Sequence, residues 1–400
     1  MGVLHTNKKL IVITSGAYPY GGATTNRHIS YLRGLAELGI EIKMYILHPS
    51  NDQPEKSKND QGEYKGIHYQ YLNDPTQSIR GTIKRMIHVL RTAQKAKRSV
   101  SSEINSKIDT CLLVLITNPF EIRIFLKLAK SKQVDIFHER TEFPYLGVIS
   151  VIDKWYFSYY LKLIKNFTGI FVITEALKSY FKPYLPPEKI VIIPMTVEPD
   201  RFSCEYNPEV YSKYGNYIAY CGSMYTDKDG VPILIEAFDQ FAENNKDVNL
   251  LLIGDTENTA KFRLIQQKIK NANHSDRIIL TGQVDRDQIP GLLCHADVLA
   301  LARPDNIQAQ GGFPTKLGEY LATAKPVAVT AVGEIPEYLT HMQNAFISES
   351  ESSSDFADVL ELIYSDRKAA NAIGKEGKKL TFGVFNYKVQ ASILLKFFFN

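Results

Sequence analysis

The sequence lacks any apolar run that could cross a membrane. A bilayer-spanning helix needs about 18 or more largely apolar residues in a row, whereas the longest candidates here, CLLVLI at 111–116 and NLLLIG at 249–254, have the length of strands. The N-terminal stretch MGVLHTNKKLIVIT resembles a first strand and has no signal-peptide cleavage pattern behind it. We therefore expect a cytoplasmic protein.

Cysteine is scarce, and the charges of the two signs nearly balance. Cys111, Cys204, Cys221 and Cys294 lie far apart and show no Cys-x-x-Cys or Cys/His spacing, so a metal centre is not indicated. We expect buried thiols, with metal ligation and disulfides as less favoured alternatives. A net charge of +4 on 400 residues does not indicate a nucleic-acid partner.

The apolar segments that are present alternate with helix-like segments along the whole chain. The first half contains LIVITS, EIKMYIL, TCLLVLI, VDIFHE, GIFVIT and KIVIIP, and the second contains NYIAYCG, NLLLIGD, RIILTG, DVLALA, PVAVT and AFIS. Continuous apolar strands separated by helices are typical of a parallel sheet covered on both faces. The sequence therefore predicts an α/β protein of two doubly wound, Rossmann-like domains that face each other across a cleft.

The polar, proline-containing stretch 198–215 marks the predicted boundary between the two halves. We place the domains at 1–197 and 198–375. Residues 376–400 are predicted to form a terminal helix whose aromatic face packs back toward the N-terminal domain.

The stretch GGFPTKLGEYLATAKPVAVT, residues 311–330, predicts a helix that begins at Thr315 behind a glycine-bearing loop. The free N–H groups of a helix N-terminus and nearby glycines suit a diphosphate, and Lys316 adds a cation. Glu319 lies one turn further on, where a carboxylate suits the hydroxyls of a ribose. The alternative is a threonine cap with Lys316 and Glu319 as a solvated pair.

Two further loops follow predicted strands. In CGSMYTDKDGV, residues 221–231, Gly222 and Gly230 flank Lys228, whose ammonium could balance charge on a departing phosphate, although a solvated loop lysine is the alternative. In ITSGAYPYGGATTNRHI, residues 13–29, Gly21 and Gly22 precede a helix that we expect Thr24 or Thr25 to cap. No G-x-G-x-x-G pattern is present there. A ligand-facing loop and a simple turn are equally open.

Ionisable residues crowd the end of one strand of the first half. DIFHERTEFP, residues 135–144, contains His138, Glu139, Arg140 and Glu142 where an apolar continuation is expected. Such groups at a strand end are candidate acids, bases or hydroxyl ligands. A structural His–Glu network is the alternative.

At these positions the chain resembles the GT-B glycosyltransferases, particularly the retaining enzymes of glycosyltransferase family four, the glycosyl transferases group 1. The family pattern has a Glu, seven residues and a second Glu on a helix before a Pro-Val strand; GEYLATAKPVAVT matches the second part and implies that Glu319 binds a ribose. Gly311 stands in place of the first Glu, so the sugar contact would come from Gln310, from backbone, or would not be made. Ser223 stands where the family has an arginine, and Arg303 could supply that charge.

The resemblance also implies roles for the halves and their residues. The N-terminal domain would bind the acceptor and the C-terminal domain the nucleotide sugar, with Lys228 and His138 as catalytic residues. The implied donor-binding residues are Gly22, Ser223, Val284, Arg303, Gly312, Thr315, Lys316, Leu317 and Glu319. The acceptor-side candidates are Gly21, Glu139, Arg140 and Glu142.

The resemblance implies retaining transfer of a sugar from a nucleoside diphosphate sugar to a glycan or lipid-linked acceptor, in cell-surface polysaccharide or glycolipid assembly. It implies no cofactor and no metal, although two Asp-x-Asp triplets at 227–229 and 285–287 leave a metal-dependent alternative. The basic amphipathic stretch 79–98 and the aromatic, lysine-bearing stretch 151–167 could lie on the anionic inner face of the cytoplasmic membrane, or pack into the first domain. A nucleotide-sugar epimerase and a non-catalytic sugar-nucleotide binding protein are the alternative functions.

Overall fold

The computed structural model describes residues 7–47, 60–73, 82–144, 150–203, 205–224, 227–254 and 260–399. The chain divides into two compact units. The first unit comprises Met1–Thr196 and Tyr387–Asn400, and the second unit comprises Val197–Asn386. The C-terminal segment of the chain thus belongs to the first unit.

The first unit is built on an eight-stranded sheet in the order β3-β4-β2-β1-β5-β6-β7-β8. All neighbours pair in parallel except β3 and β4, which form an antiparallel hairpin. The strands are β1 Lys8–Thr14, β2 Glu41–Ile46, β3 Gln61–Tyr64, β4 Ile67–Tyr71, β5 Asp109–Val114, β6 Asp135–Arg140, β7 Gly169–Val172 and β8 Ile190–Ile192. The central strands β1 and β5 are apolar on both faces because helices cover both.

The described helices of the first unit follow the strands in the order expected of crossover connections. They are α1 Ala23–Glu37, α2 Thr82–Glu103, α3 Pro119–Lys132, α4 Val151–Ile164, α5 Glu175–Phe181 and, from the C-terminus of the chain, α14 Tyr387–Phe399. Local chemistry sets their ends: Asn118 caps α3 by accepting from the N–H of Phe120 at 3.0 Å, and Pro119 occupies its first turn.

Helix α14 packs against α1 and completes the core of the first unit. Leu394 and Phe398 lie in the same buried cluster as Leu10 and Leu113 of the central strands. The contact with α1 is close at Gly34, where an added Cβ would lie 2.6 Å from the Cβ of Ala391. The apolar face of this last helix is therefore buried within the first unit.

The second unit has a six-stranded, fully parallel sheet in the order β11-β10-β9-β12-β13-β14. Its strands are β9 Asn216–Cys221, β10 Val248–Ile253, β11 Ile278–Leu280, β12 Val298–Leu301, β13 Val327–Thr330 and β14 Phe346–Ser348. Its described helices are α6 Val231–Phe241, α7 Ala260–Asn271, α8 Ile289–His295, α9 Ile307–Gly311, α10 Thr315–Ala322, α11 Ile335–Tyr338, α12 Ser353–Ser365 and α13 Arg367–Lys379. The strand order runs outward from β9 in both directions, so the topological switch point lies between β9 and β12.

The structure differs from the sequence predictions at three elements. The hairpin β3–β4 was not expected, although Ile67, Tyr69 and Tyr71 alternate and Lys65 and Gly66 turn with positive φ, as a tight hairpin requires. The expected single terminal helix is two helices, since α13 ends at Lys379 and α14 begins at Tyr387. The 3₁₀ turn Asp227–Asp229 between β9 and α6 was likewise not expected.

The cysteines do not all follow the expectation of buried thiols. Cys111 and Cys221 are free. Cys294 is disulfide-bonded, which corrects the prediction for that residue. Cys204 lies outside the described residues.

Candidate active site

The carboxyl ends of β9 and β12 form the switch point of the second sheet, where open parallel sheets bind their ligands. The loop after β9 runs from Gly222 toward the 3₁₀ turn Asp227–Asp229. After β12 the chain passes through α9 and then starts α10 at Thr315, as the sequence predicted. The residues predicted to bind a diphosphate thus come from two loops at one edge of one sheet.

Three contacts hold Lys316 at this edge, and they come from β9 and from the 3₁₀ turn that follows it. Its Nζ donates to Asp229 Oδ2 at 2.5 Å and to the Tyr220 hydroxyl at 3.0 Å, and it lies 4.5 Å from the centre of the Tyr220 ring. The Tyr220 hydroxyl in turn donates to Asp229 Oδ2 at 2.9 Å. The ion partner of Lys316 is therefore Asp229, and the solvated Lys316–Glu319 pair considered from the sequence does not form.

The main chain at Gly222 packs closely against Lys316 and against the main chain at Gly254. A Cβ on Gly222 would lie 2.1 Å from Lys316 Nζ, and a Cβ on Gly254 would lie 2.1 Å from the Gly222 carbonyl oxygen. Only glycine fits at both positions without movement. The absence of a side chain at Gly222 lets the Lys316 ammonium lie directly against the main chain, whose N–H at Gly222 donates to the Ile253 carbonyl at 2.9 Å.

The electrostatics of the cluster favour an ionised Asp229. Burial opposes the charge on this carboxylate, but the ammonium of Lys316, the guanidinium of Arg303 and the Tyr220 hydroxyl outweigh it, so that the pKa of Asp229 is lowered. The same burial, together with Asp229, raises the pKa of Tyr220 well above its ordinary value. Tyr220 is therefore neutral and can bridge the two charges as donor and acceptor.

Glu319 lies on α10 one turn beyond Thr315 and is partly exposed. Its Oε1 is 3.5 Å from Nη1 of Arg201, which belongs to the 3₁₀ turn Pro199–Phe202. At that distance the contact is weak, and the carboxylate retains accessible surface. This is compatible with the predicted role of a ribose ligand, which stays a prediction.

The remaining donor-site candidates divide by exposure. Ser223, Val284, Thr315 and Lys228 are partly exposed, whereas Gly312, Leu317 and Arg303 are buried.

The side chain of Leu317 is 0 % exposed and its N–H donates to the Pro314 carbonyl at 3.1 Å, so the geometry offers a ligand neither its side chain nor a free N–H. The other backbone donors of the first turn belong to Thr315 and Lys316. Within the described residues no side chain caps α10, whose N-cap is Pro314.

Arg303 follows β12 and lies close enough to Asp229 for its charge to lower the pKa of that carboxyl. It is 1 % exposed, and its Nη2 is 3.4 Å from the Gln308 carbonyl oxygen. Its charge acts on the ligand site through Asp229, whose pKa it helps to lower. Gln310, which the sequence offered as a substitute for the missing Glu, is exposed and lies 3.3 Å from Asp305.

In the first unit, His138 is in the core. Its ring is 0 % exposed and stacks on Phe167 at 5.0 Å. Burial is the main cause that lowers the pKa of His138 to about 3, and the charge of Arg140 lowers it further. The ring is therefore neutral. The two ring nitrogens lie 2.6 Å from the Val114 carbonyl oxygen and 2.9 Å from the Tyr160 hydroxyl. The ring therefore has a structural position, and this packing leaves no nitrogen for the predicted contact with a sugar.

Glu139 belongs to a buried ion network on the opposite face of β6. It accepts from Arg27 Nε at 2.7 Å, His28 Nε2 at 3.0 Å and the Tyr31 hydroxyl at 3.1 Å. Arg27 also donates to the carbonyls of Ile193 and Pro194, at 2.7 and 2.6 Å. A structural network was one alternative from the sequence, but the partners come from α1 and not from the neighbouring His138, because successive residues of a strand face opposite ways.

The other acceptor-side candidates, and the donor-binding candidate Gly22, lie near the carboxyl ends of β1 and β6. Gly22 is the N-cap of α1, and a Cβ there would meet nothing within 4 Å, whereas Gly21 packs on Thr25. Thr25 does not cap the helix as expected; its hydroxyl donates to the Ala17 carbonyl at 2.8 Å. Arg140 donates to the Glu142 carbonyl at 3.2 Å, and both residues are partly exposed.

Comparisons with known proteins agree on one class. Residues 208–380 match the family model described as Glycosyl transferases group 1. N-acetyl-alpha-D-glucosaminyl L-malate synthase of Bacillus anthracis is 27% identical over 139 residues, which is 35% of this chain and 34% of that enzyme. An uncharacterized glycosyltransferase of Methanocaldococcus jannaschii is 22% identical over 79% of this chain and 91% of its own length. The match to the first of these relatives thus spans about a third of its length.

Among solved structures, HepE of Anabaena in complex with UDP and glucose is similar to this chain. The TM-score is 0.73 at 14% identity, and the match covers 97% of this chain and 98% of that chain. The two Rossmann-like units thus have the fold of GT-B glycosyltransferases. The matched domain and the names of the curated relatives support a glycosyltransferase of the hexosyltransferase type, EC 2.4.

Two residues of the site were not identified from the sequence. Asp229 directly follows Lys228 and precedes Gly230, so its position before a helix was a usable signal of a capping or ion-pairing role. Tyr220 carried no local signal, because an aromatic residue in an apolar strand reads as core. Only the folded path of the loop after β9 shows that its hydroxyl reaches Asp229.

Proposed function

We propose that the chain transfers a sugar from a nucleoside diphosphate sugar to an acceptor hydroxyl with retention at the anomeric carbon. The observation that carries the proposal is the position of the Lys316 ammonium, which packs against Gly222 beside the N-terminus of α10 at the switch point of the second sheet. These elements together suit a diphosphate. The solved HepE structure, which holds UDP and glucose, supports this choice of ligand.

In this mechanism the leaving diphosphate takes the proton of the acceptor. The enzyme then needs preorganised positive charge at the diphosphate more than a separate base. Lys316 and the first-turn N–H groups of α10 bind the diphosphate, and Lys228 balances the charge that develops as it departs. Glu319 accepts from the ribose. We expect no cofactor and no metal, and a chelator such as EDTA should leave the rate unchanged.

The acceptor side of the proposal is a glycan or lipid-linked acceptor reached at an anionic membrane surface. Three neighbouring helices of the first unit, α2, α3 and α4, carry exposed apolar side chains toward their N-terminal ends, at the carboxyl edge of the sheet. These are Val151, Trp155, Ile87, Phe120 and Leu90, which are 81, 58, 43, 40 and 39 % exposed. We call this set the apolar edge patch.

Two features of the apolar edge patch favour a membrane surface over solvent. Phe120 and Trp155 lie 6.2 Å apart, so aromatic rings from two helices form one cluster. Arg91 and Arg98 flank a hollow of about 340 Å³ on α2, and Lys154 is exposed on α4. Exposed aromatics beside cations suit the interface of an anionic bilayer. Among the described residues, no helix is both long and apolar enough to cross a membrane.

A donor screen tests the proposal. Incubation with UDP, GDP and ADP and with their sugars should raise the melting temperature for one nucleotide series, since a ligand at 100 times its Kd stabilises the folded state by about 2.7 kcal/mol. Incubation of that donor with candidate acceptors should then give a product whose anomeric configuration, read by NMR, equals that of the donor. An inverted configuration would contradict retention, and an isomerised donor without transfer would indicate an epimerase.

Replacement of Lys228 tests whether this lysine takes part in the transfer step. Lys228→Ala should lower turnover on the order of a hundredfold, the scale for loss of one preorganised donor, with little change in donor affinity. Lys246→Ala removes an exposed lysine elsewhere in the second unit and serves as the matched control. Normal turnover of Lys228→Ala would remove this lysine from the mechanism, while donor binding without transfer by the wild type would favour a non-catalytic binding protein.

A further inference from the structure

The Lys316 ammonium is more tightly constrained than an ion pair alone requires. The Asp229 carboxylate and the Tyr220 hydroxyl both accept hydrogen bonds from the ammonium, and the Tyr220 ring lies beneath it. The Tyr220 hydroxyl also donates to Asp229, so that each of the three residues contacts the other two. The Tyr220 hydroxyl is 3.0 Å from the Ser223 carbonyl oxygen as well, which ties the network to the loop after β9. The side chains of Lys316 and Asp229 are 16 and 8 % exposed, so water competes little for these contacts.

The arrangement leaves part of the ammonium available. An ammonium has three N–H donors, and the described residues supply two acceptors for that of Lys316. Gly222 makes room for Nζ itself, since an added Cβ would lie 2.1 Å from it. A phosphate oxygen that reaches the N-terminus of α10 beside Lys316 therefore meets a cation whose position is already fixed.

We propose that Asp229 and Tyr220 are positioning residues that hold the Lys316 ammonium against Gly222 with one donor directed to the donor diphosphate. This inference rests on the proposed function, because it takes a nucleoside diphosphate as the ligand. Asp229 and Tyr220 act through Lys316 and do not touch the ligand themselves. Preorganisation matters here because a flexible lysine has to lose rotamer freedom on binding, whereas a fixed one has lost it already.

Lys316 and Asp229 form an ion pair between two mostly buried side chains. Because the pair is close to neutral as a whole, the attraction that remains for an anion is short-range and directional. The site then selects a phosphate that reaches Nζ, and does not attract anions in general.

Tyr220→Phe is the first test, since it keeps the ring beneath Nζ and removes only the hydroxyl. Binding of UDP, GDP or ADP, whichever the wild type binds best, is measured by titration calorimetry, followed by KM and kcat for the sugar donor. The Kd and the donor KM should rise about five- to tenfold with kcat nearly unchanged, the scale of one ordinary hydrogen bond, because the Asp229 contact to Lys316 remains. Tyr364→Phe, which removes a hydroxyl that contacts Asp297 elsewhere in the second unit, is the matched control.

Asp229→Asn is the second test, and it is compared with the conservative variant Asp229→Glu. Without the carboxylate, the Lys316 ammonium loses a contact that fixes it, so the Kd for the nucleotide and the donor KM should rise about tenfold or more with kcat nearly unchanged, a split that a general structural defect would not give. Asp229→Glu should restore part of the affinity. Circular dichroism and melting curves establish that each variant is folded before it is compared.

The outcomes separate this inference from the proposed function. If the wild type binds no nucleoside diphosphate, the proposed function fails. If the wild type binds one and Tyr220→Phe binds it equally well, the positioning role is wrong while the proposed function stands. Tighter binding by Asp229→Asn than by the wild type would likewise overturn the inference, because it would show that Asp229 competes with the diphosphate for Lys316.

Discussion

Arg27 shows at the scale of one residue why buried charges need several partners. It is 2 % exposed, and its guanidinium meets the Glu139 carboxylate and the carbonyls of Ile193 and Pro194. Removal of a charge from water costs several kcal/mol per ion unless hydrogen bonds and an opposite charge compensate. The carbonyls belong to the segment by which the chain leaves the first unit at Thr196. Arg27 therefore fixes the path of that segment.

The Glu139 carboxylate makes the stability of the folded protein depend on pH. Burial opposes its ionisation, but Arg27 and His28 outweigh the burial and lower its pKa from 4.5 to about 2. A carboxylate whose pKa is lower in the folded state stabilises that state above the unfolded pKa, and the stability is lost as the pH falls from about 4.5 to about 2. The free energy involved is on the order of 3 kcal/mol.

Glu139→Gln should remove this contribution. The variant should lose about 3–5 kcal/mol of unfolding free energy at neutral pH, because Arg27 is left buried without an anion. Its stability should also change less than that of the wild type between about pH 4.5 and about pH 2. Urea titrations across this range measure both effects. Glu63→Gln, at an exposed position in the same unit, is the control; equal pH profiles for Glu139→Gln and wild type would show that Glu139 is not the titrating group.

At the scale of one element, α14 illustrates how distant parts of the chain form one core. Leu394 is 0 % exposed within the cluster that contains Leu10 and Leu113, whereas the neighbouring Ile393 is 37 % exposed. The Tyr387 hydroxyl at the start of the helix lies 3.1 Å from Glu37 at the end of α1. The helix thus buries one face and shows the other to solvent.

The two adjacent residues allow a matched test of that burial. Leu394→Ala should lower the unfolding free energy of the first unit by about 2–5 kcal/mol, because it leaves a cavity in a close-packed core. Ile393→Ala should change it by about 0.5 kcal/mol or less. Trp155, the single tryptophan, lies in the same unit and reports its unfolding by fluorescence. Equal losses for the two variants would contradict the described packing of α14.

At the scale of the whole molecule, the apolar edge patch and its cations bear on where the enzyme works. The chain should float with liposomes that contain anionic phosphatidylserine at low salt and much less at about 0.5 M salt, where charges are screened within about 4 Å. The double variant Phe120→Ala with Trp155→Ala should lose most of this binding, since it removes the aromatic cluster.

The control for the liposome test is another exposed phenylalanine. Phe382 in the second unit is 59 % exposed, and Phe382→Ala should float like the wild type. Binding that survives the double variant would move the membrane contact away from the apolar edge patch. Absence of flotation for the wild type at low salt would reject the membrane proposal and leave a soluble glycan as the acceptor.

The sequence by itself determined the α/β class and the start of α10 at Thr315, because strand and helix periods and the glycine-proline loop are local signals. It also indicated Lys316 as the cation at that helix. Only the tertiary structure decided that Lys316 pairs with Asp229 and not with Glu319, and that His138 is in the core while Glu139 pairs with Arg27. Those contacts depend on which strands are neighbours and on which face of its element each side chain lies. Lys316 and Asp229 are 87 positions apart, and Arg27 and Glu139 are 112 positions apart, so no local sequence pattern predicts either pair.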